Sequence, residues 1–325
     1  LSNYKNIKLR YRVLSRKSFI ITGIFAAIGL TALGKGMRKI VMSGVNMKKG
    51  KPGKGLIMWY SQTGNTERVG RAIAAAWKKT GLKVDYGDYR DIDKGSLDNY
   101  DIIAVGTPVY YYEVPQNFRE WLDGIPHIDG TPIAVFVTFG GEGGNQHNTV
   151  CELTELLAKK GGVPAGTAEF SCMSSYALTW SSGNSERVLK YKDRPGADTF
   201  SAAEKFALEI FTKISEGNTA EVSGNFSMRN IIKGSPSIGV TKLMITGHRI
   251  NTEKCISCGK CKRACTVNAI NPEEGTVDTG KCIACLGCIN NCPAGAVEMK
   301  FIGKEVYGHG EFIKRNNIIR SEPSL

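Results

Sequence analysis

The residues best equipped for chemistry are eight cysteines in two runs. Cys255, Cys258, Cys261 and Cys265 form the first, and Cys282, Cys285, Cys288 and Cys292 the second; each reads C-x2-C-x2-C-x3-C. The runs repeat with an offset of 27 residues at every cysteine. Three thiolates two residues apart can wrap one face of an iron–sulfur cube, while the fourth points away from it. Zinc sites take two C-x2-C pairs without a third cysteine at the same spacing, and disulfides between cysteines so close in sequence are strained. The spacing therefore predicts one-electron chemistry at 4Fe–4S clusters. Gly259, Ala264, Ala284 and Gly287 are small and leave room for an inorganic core.

A second chemical stretch is Ser61-Gln62-Thr63-Gly64-Asn65-Thr66. It follows an apolar run, Gly55–Tyr60, and precedes helical spacing over Glu67–Thr80, in which Val69, Ile73, Ala76 and Trp77 share a face. Strand, polar loop and helix make an anion site, because the first helical N–H groups have no partner and the helix dipole favours negative charge. The loop has no lysine, and neither Gly-Lys-Ser/Thr nor G-x-G-x-x-G occurs. Two later loops follow apolar runs in the same way: Gly106-Thr107-Pro108-Val109-Tyr110-Tyr111-Tyr112, and 138–145 with Thr138, Phe139, Gly140, Gly141 and Gly143.

These residues carry two resemblances. S-x-T-G-N-T after a first strand resembles the phosphate loop of flavodoxins, which implies FMN, with its phosphate on Ser61, Gln62, Thr63, Gly64, Asn65 and Thr66. The same resemblance puts the isoalloxazine against Thr107, Pro108, Val109, Tyr110 and Tyr111 and against Thr138, Phe139, Gly140, Gly141 and Gly143. The cysteine runs resemble bacterial two-cluster ferredoxins, in which the fourth cysteine of a run ligates the other cluster. That resemblance implies one cluster on Cys255, Cys258, Cys261 and Cys292 and another on Cys282, Cys285, Cys288 and Cys265. Thr266 stands where the ferredoxin pattern has proline, which affects a turn and no ligand. Over roughly residues 55–300 the order resembles flavodoxin–ferredoxin fusions, which implies electron transfer to a redox protein partner or a small-molecule acceptor. An FMN-dependent oxidoreductase acting on a quinone or porphyrinogen, and a redox sensor or assembly subunit, are the alternatives.

The elements that must position these groups read as an α/β fold. Strands are expected at Leu82–Tyr89, Tyr100–Gly106, Pro132–Thr138 and Thr167–Cys172 besides the first, with helices at Pro115–Leu122, His147–Lys160 and Asp198–Ser215. The alternation predicts a doubly wound parallel sheet, of order 2-1-3-4-5 in flavodoxins, with ligands beyond the carboxyl ends of the strands. Met173–Ala197 is a long insertion, expected to be either a lid or a variable surface loop. A small α+β domain should pair Arg249–Asn251 with Ala296–Met299 around the cysteines. The expected divisions are 1–54 (signal or anchor and tether), 55–216 (FMN domain), 217–247 (linker, with one short helix near Asn230 or at Ile238–Ile245), 248–300 (ferredoxin domain) and 301–325 (a polar tail without assignment). Cys151 and Cys172 read as buried apolar residues, and His127 and His147 as loop or helix-start residues without catalytic role.

The chain has 325 residues and a formal net charge of +13. That excess is local: residues 1–54 hold 13 Lys and Arg and no acid, leaving 30 basic against 30 acidic residues elsewhere. Nucleic acid is not expected as a partner, since no zinc-finger or helix-turn-helix pattern occurs. Lys5 to Lys17 precede an apolar run, Phe19–Leu33, whose 15 residues would span ~22 Å as a helix. That suits a signal core better than a bilayer of ~30 Å. Ser15-Arg16-Lys17-Ser18-Phe19-Ile20 is similar to a twin-arginine export motif, with lysine as the second basic residue. Membrane association or export is therefore expected, and a cytoplasmic location if the run is only a surface helix.

Overall fold

In the computed structural model the described residues are 47–48, 50–143, 146–218 and 237–324. The basic arm and apolar run at the N-terminus, Gly144, Asn145 and the linker around Asn230 lie outside them.

The first domain is a parallel sheet of β1 (Lys54–Trp59), β2 (Lys83–Asp88), β3 (Ile102–Pro108), β4 (Pro132–Gly140) and β5 (Val163–Cys172), in the order β2-β1-β3-β4-β5. The expected doubly wound topology is present. Both faces are covered, so the central strands are apolar throughout and alternate between two cores. Ile57 and Trp59 face α1 (Asn65–Lys79) and α6 (Ala197–Ser215), while Leu56, Met58 and Tyr60 face α2 (Gln116–Asp123) and α3 (Gln146–Ala158). The Trp77 indole N–H donates to Ala207 O at 2.9 Å and ties α1 to α6.

β5 begins four residues earlier than expected. Gly161, Gly162 and Pro164 look like a turn in sequence, but β5 is an edge strand, where proline costs no ladder bond. Its register against β4 shifts between Ile133 and Ala134, which accommodates one extra residue.

The insertion is not a loose surface loop. It folds into α4 (Ala177–Ser181) and α5 (Ser185–Leu189). Met173, Ala177, Leu178, Trp180 and Val188 share one apolar core with the C-terminal domain. The insertion is the joint between the two domains.

The C-terminal domain opens with α7 (Ile238–Met244), the alternative place for the linker helix, and continues into β6 (Ile245–Ile250). After α8 (Lys260–Ala264), β7 (Ile270–Asn271), β8 (Thr276–Val277) and α9 (Gly287–Asn290), the chain returns as β9 (Val297–Phe301). Arg249 pairs with Glu298 and Ile250 with Val297, as expected, and the ladder extends to Ile245 and Phe301. The tail has structure: β10 (Lys304–Glu305) joins β9, and α10 (His309–Arg315) seats Phe312 flat on Trp180 with ring centroids 4.4 Å apart.

Candidate functional site

The 27-residue repeat reappears in the backbone. Ser257 and Ala284, Gly259 and Leu286, and Asn268 and Gly295 all have positive φ, at matching places in the two halves. Such residues let a short chain curl its N–H groups inward. Ala269 N donates to Cys265 Sγ at 3.1 Å and Ala296 N to Cys292 Sγ at 3.2 Å, again a matched pair.

The cysteines gather in two recesses. Cys255, Cys258, Cys261 and Cys292 line one, and Cys265, Cys282, Cys285 and Cys288 line the other. Each therefore draws three thiols from one run and one from the other. Among the described residues no three His, Cys, Asp or Glu side chains converge on a single metal ion. Thiols ranged around a recess suit a cube better than one ion. Burial pushes the thiols of Cys261, Cys282, Cys285 and Cys288 up, so thiolates there need the positive charge of bound metal. The donor set fits 4Fe–4S clusters. The first recess faces outward, with Cys258 exposed.

The other sites meet at the carboxyl ends of the strands. A cavity of about 500 Å³ is lined by Ser61, Gln62, Thr63, Asn65 and Thr66, by Pro108, Val109, Tyr110 and Tyr111, and by Thr138, Phe139, Gly140 and Gly141. Gly64 stands at φ 88 as the N-cap of α1, with no side-chain cap bond. The first N–H groups of α1 therefore remain available for an anion. Ser61 Oγ accepts from Gly64 N at 3.2 Å and shapes the turn. Thr66 and Thr138 share a buried hydroxyl contact at 2.8 Å across the cavity floor. Asn65 is occupied structurally: its amide donates to Met173 O at 2.8 Å and accepts from Arg68 at 2.7 Å. Thr107 is buried behind the lining, and Gly143 lies beyond it.

Tyr110 and Glu113 exchange two backbone hydrogen bonds, and the two residues between them, Tyr111 and Tyr112, both have positive φ. That is the conformation of a type I′ turn, which usually employs Asn-Gly. Tyrosine is strained there. The turn aims Tyr110 Oη at Gln62 Oε1, 2.6 Å away, and Tyr111 Oη at Ala284 O, 3.2 Å away. At Gly140 a Cβ would come within 2.6 Å of Ser174 Cβ, so a glycine is needed where the third loop passes under the insertion. The volume, the mixed polar and aromatic walls and the uncapped helix start fit FMN.

The second cysteine recess opens on this cavity. Ala284 and Cys285 line both. Asn291 Nδ2 donates to Gln62 O at 3.1 Å, and a Cβ at Gly287 would lie 2.7 Å from Gln62 Nε2 and 3.0 Å from Ala264 O. Gly287 thus sits where the flavodoxin domain packs against it, with no room for a side chain.

Sequence reasoning missed His248. The register of β6 against β9 shifts between Thr246 and Arg249, where Gly247 has φ 62, and His248 Nε2 comes 3.4 Å from Cys288 Sγ. A glycine inside a strand was the available signal. Cys172 is buried as expected, whereas Cys151 is only half-buried, with Sγ 3.5 Å from His147 Nε2.

A family model described as "Flavodoxin domain" matches residues 56–170, and one described as "4Fe-4S binding domain" matches residues 248–271. A flavodoxin from Clostridium saccharobutylicum is 30% identical over 108 residues, which is 32% of this chain and 68% of that protein. A flavodoxin from Maridesulfovibrio salexigens is 26% identical over 148 residues, 42% of this chain and 99% of that protein. Oxidised Flavodoxin 1 from Bacillus cereus superposes with a TM-score of 0.38 at 20% identity, over 49% of this chain and 97% of that structure. The flavodoxin domain implies FMN and the domain behind it a 4Fe–4S cluster, and the second cysteine set supplies four further thiols. The chain belongs to the flavodoxin family, as a flavodoxin domain followed by a 4Fe–4S ferredoxin domain.

Proposed function

We propose that this protein is an electron carrier linking two 4Fe–4S clusters to FMN and passing electrons on to a redox partner. Cys255, Cys258, Cys261 and Cys292 hold the outer cluster, and Cys265, Cys282, Cys285 and Cys288 the inner one. Residues Ser61–Thr66 hold the flavin phosphate, with Tyr110, Tyr111 and residues 138–141 against the ring. When bound, the clusters exchange single electrons and FMN one or two. The carrying observation is that Cys285 lines both the inner recess and the cavity. Around it the chain's own residues fix the geometry: Asn291 donates across the domain boundary to Gln62, which Tyr110 holds in place, and the insertion keeps the junction apolar.

Stopped-flow reduction by a low-potential donor tests this reading. Iron–sulfur absorbance should bleach first and flavin absorbance second, with flavin reduction much slower in protein stripped of its clusters. Equal flavin reduction with and without clusters would reject it.

A second reading, an FMN-dependent oxidoreductase acting on a small molecule such as a quinone or porphyrinogen, is favoured by one feature. The cavity continues beneath the insertion to Thr179, Asn184 and Arg187. Rapid reoxidation of the reduced protein by such a compound, without any protein acceptor, would select it. Among the described residues no helix is long and apolar enough to cross a membrane. The proposal that the N-terminal segment exports or anchors the protein rests on its basic arm and apolar run alone.

A further inference from the structure

The phosphate loop contains no lysine, yet two guanidinium groups sit against it. Arg68, one turn into α1, is 4% exposed. Its Nε donates to Gly64 O at 3.2 Å and its Nη2 to Asn65 Oδ1 at 2.7 Å. The other group comes from the far end of the chain: Arg320 Nη1 donates to Thr63 O at 2.9 Å and lies 3.7 Å from where a Cβ at Gly64 would be. Three consecutive loop residues, Thr63, Gly64 and Asn65, are thus gripped from outside by two cations.

The C-terminal segment is held in place for this. Arg68 Nη1 donates to Ser321 O at 2.8 Å, Arg71 pairs with Glu322 at 2.9 Å, and Pro323 is buried. Among the described residues neither Arg68 nor Arg320 has a carboxylate at salt-bridge distance. Glu322 is engaged by Arg71 instead. His309 is a further basic group in this corner. Burial and the two guanidiniums hold it down to about 4, and its Nε2 is buried without a partner. Arg68, Arg71 and Arg320 outnumber Glu322 and Glu67, so the corner is net positive beside an uncapped helix start, and a phosphate monoester brings about two negative charges at neutral pH.

We propose that Arg320, on the C-terminal segment, straps the phosphate loop from outside the cavity and makes retention of the phosphorylated flavin depend on residues 320–323. This rests on the reading of Ser61–Thr66 as the FMN phosphate site. Because Arg320 holds Thr63 through its backbone, it both fixes the loop and adds a positive field where the phosphate sits. The same segment carries Phe312 and Ile318 into the core shared with the ferredoxin domain, so flavin retention and domain docking are coupled through it.

The test uses the full chain, cluster-loaded and flavin-depleted, titrated with FMN and with riboflavin by flavin fluorescence quenching at two ionic strengths. Arg320 is exposed, so Arg320→Gln is tolerated by the fold. It should weaken FMN about tenfold and leave riboflavin within about twofold, with Arg320→Lys recovering part of the loss. Raising salt should narrow the wild-type preference for FMN over riboflavin. Equal weakening of both flavins by Arg320→Gln, or no weakening of either, would overturn the proposal. If wild type itself fails to prefer FMN to riboflavin, the phosphate-loop reading has failed, and that result shows in the wild-type titrations alone.

Discussion

The Tyr111 hydroxyl donates to the carbonyl of Ala284 at 3.2 Å, joining a flavin-loop turn to the peptide between two cluster cysteines. Burial raises the Tyr111 phenol, so it stays protonated and keeps this donor role at any ordinary pH. Tyr111→Phe removes the bond and leaves the ring. It should retain flavin and iron while lowering the unfolding free energy of the ferredoxin half by about 1 kcal/mol. Denaturant titration followed by iron–sulfur absorbance measures this, and an unchanged midpoint would mean that the contact contributes nothing.

Trp180 holds the insertion to the tail. It stacks on Phe312, and its indole N–H donates to Tyr307 O at 2.9 Å. Trp180→Ala opens a large cavity in the joint core and should cost about 3–5 kcal/mol. The loss should fall on docking of the ferredoxin domain, so that hydrogen exchange rises across residues 245–318 before it rises in the sheet. Uniform loosening of both domains would contradict a joint built on the insertion.

Cys265 tests the crossing of the two cysteine runs. It lies in the recess of Cys282, Cys285 and Cys288, away from its own run. Cys265→Ala should destroy or convert the inner cluster and largely spare the outer one, as read by iron content and electron paramagnetic resonance. Loss of the outer cluster alone would show self-contained quartets.

In the tautomer with its proton on Nε2, His248 should raise the potential of the inner cluster, because an N–H directed at a ligand sulfur stabilises the more negative, reduced state. His248→Phe should shift that cluster's midpoint to lower potential with the outer cluster unchanged. A redox titration monitored cluster by cluster decides it, and an unmoved midpoint would leave the bulge in β6 without an electronic role.

His309 gives the fold an acid-side weakness. It titrates at about 4 in the folded chain against 6.5 unfolded. As pH falls below 6.5, the unfolded chain takes up a proton that the folded chain refuses, so stability drops, by about 3 kcal/mol once pH is below 4. Thermal unfolding from pH 7 to 5 should show a shallower decline in His309→Phe than in wild type. Parallel slopes would place the acid sensitivity elsewhere.

The sequence by itself determined the cluster chemistry, the anion loop and the alternating sheet. Each of these is a local property. Ligands two residues apart must share a site, Ser61–Thr66 must start a helix, and a run such as Leu56–Tyr60 must be covered on both faces. The start of β5 was hidden because Gly162 and Pro164 signal a turn, and only an edge position makes them acceptable in a strand. Tertiary structure alone decided that Met173–Ala197 joins the two domains, that Gly287 packs against Gln62, and that Arg320 reaches Thr63. The physical reason is common to all three. They are contacts between residues far apart along the chain, and such contacts leave no period, spacing or turn signal in the sequence around either partner.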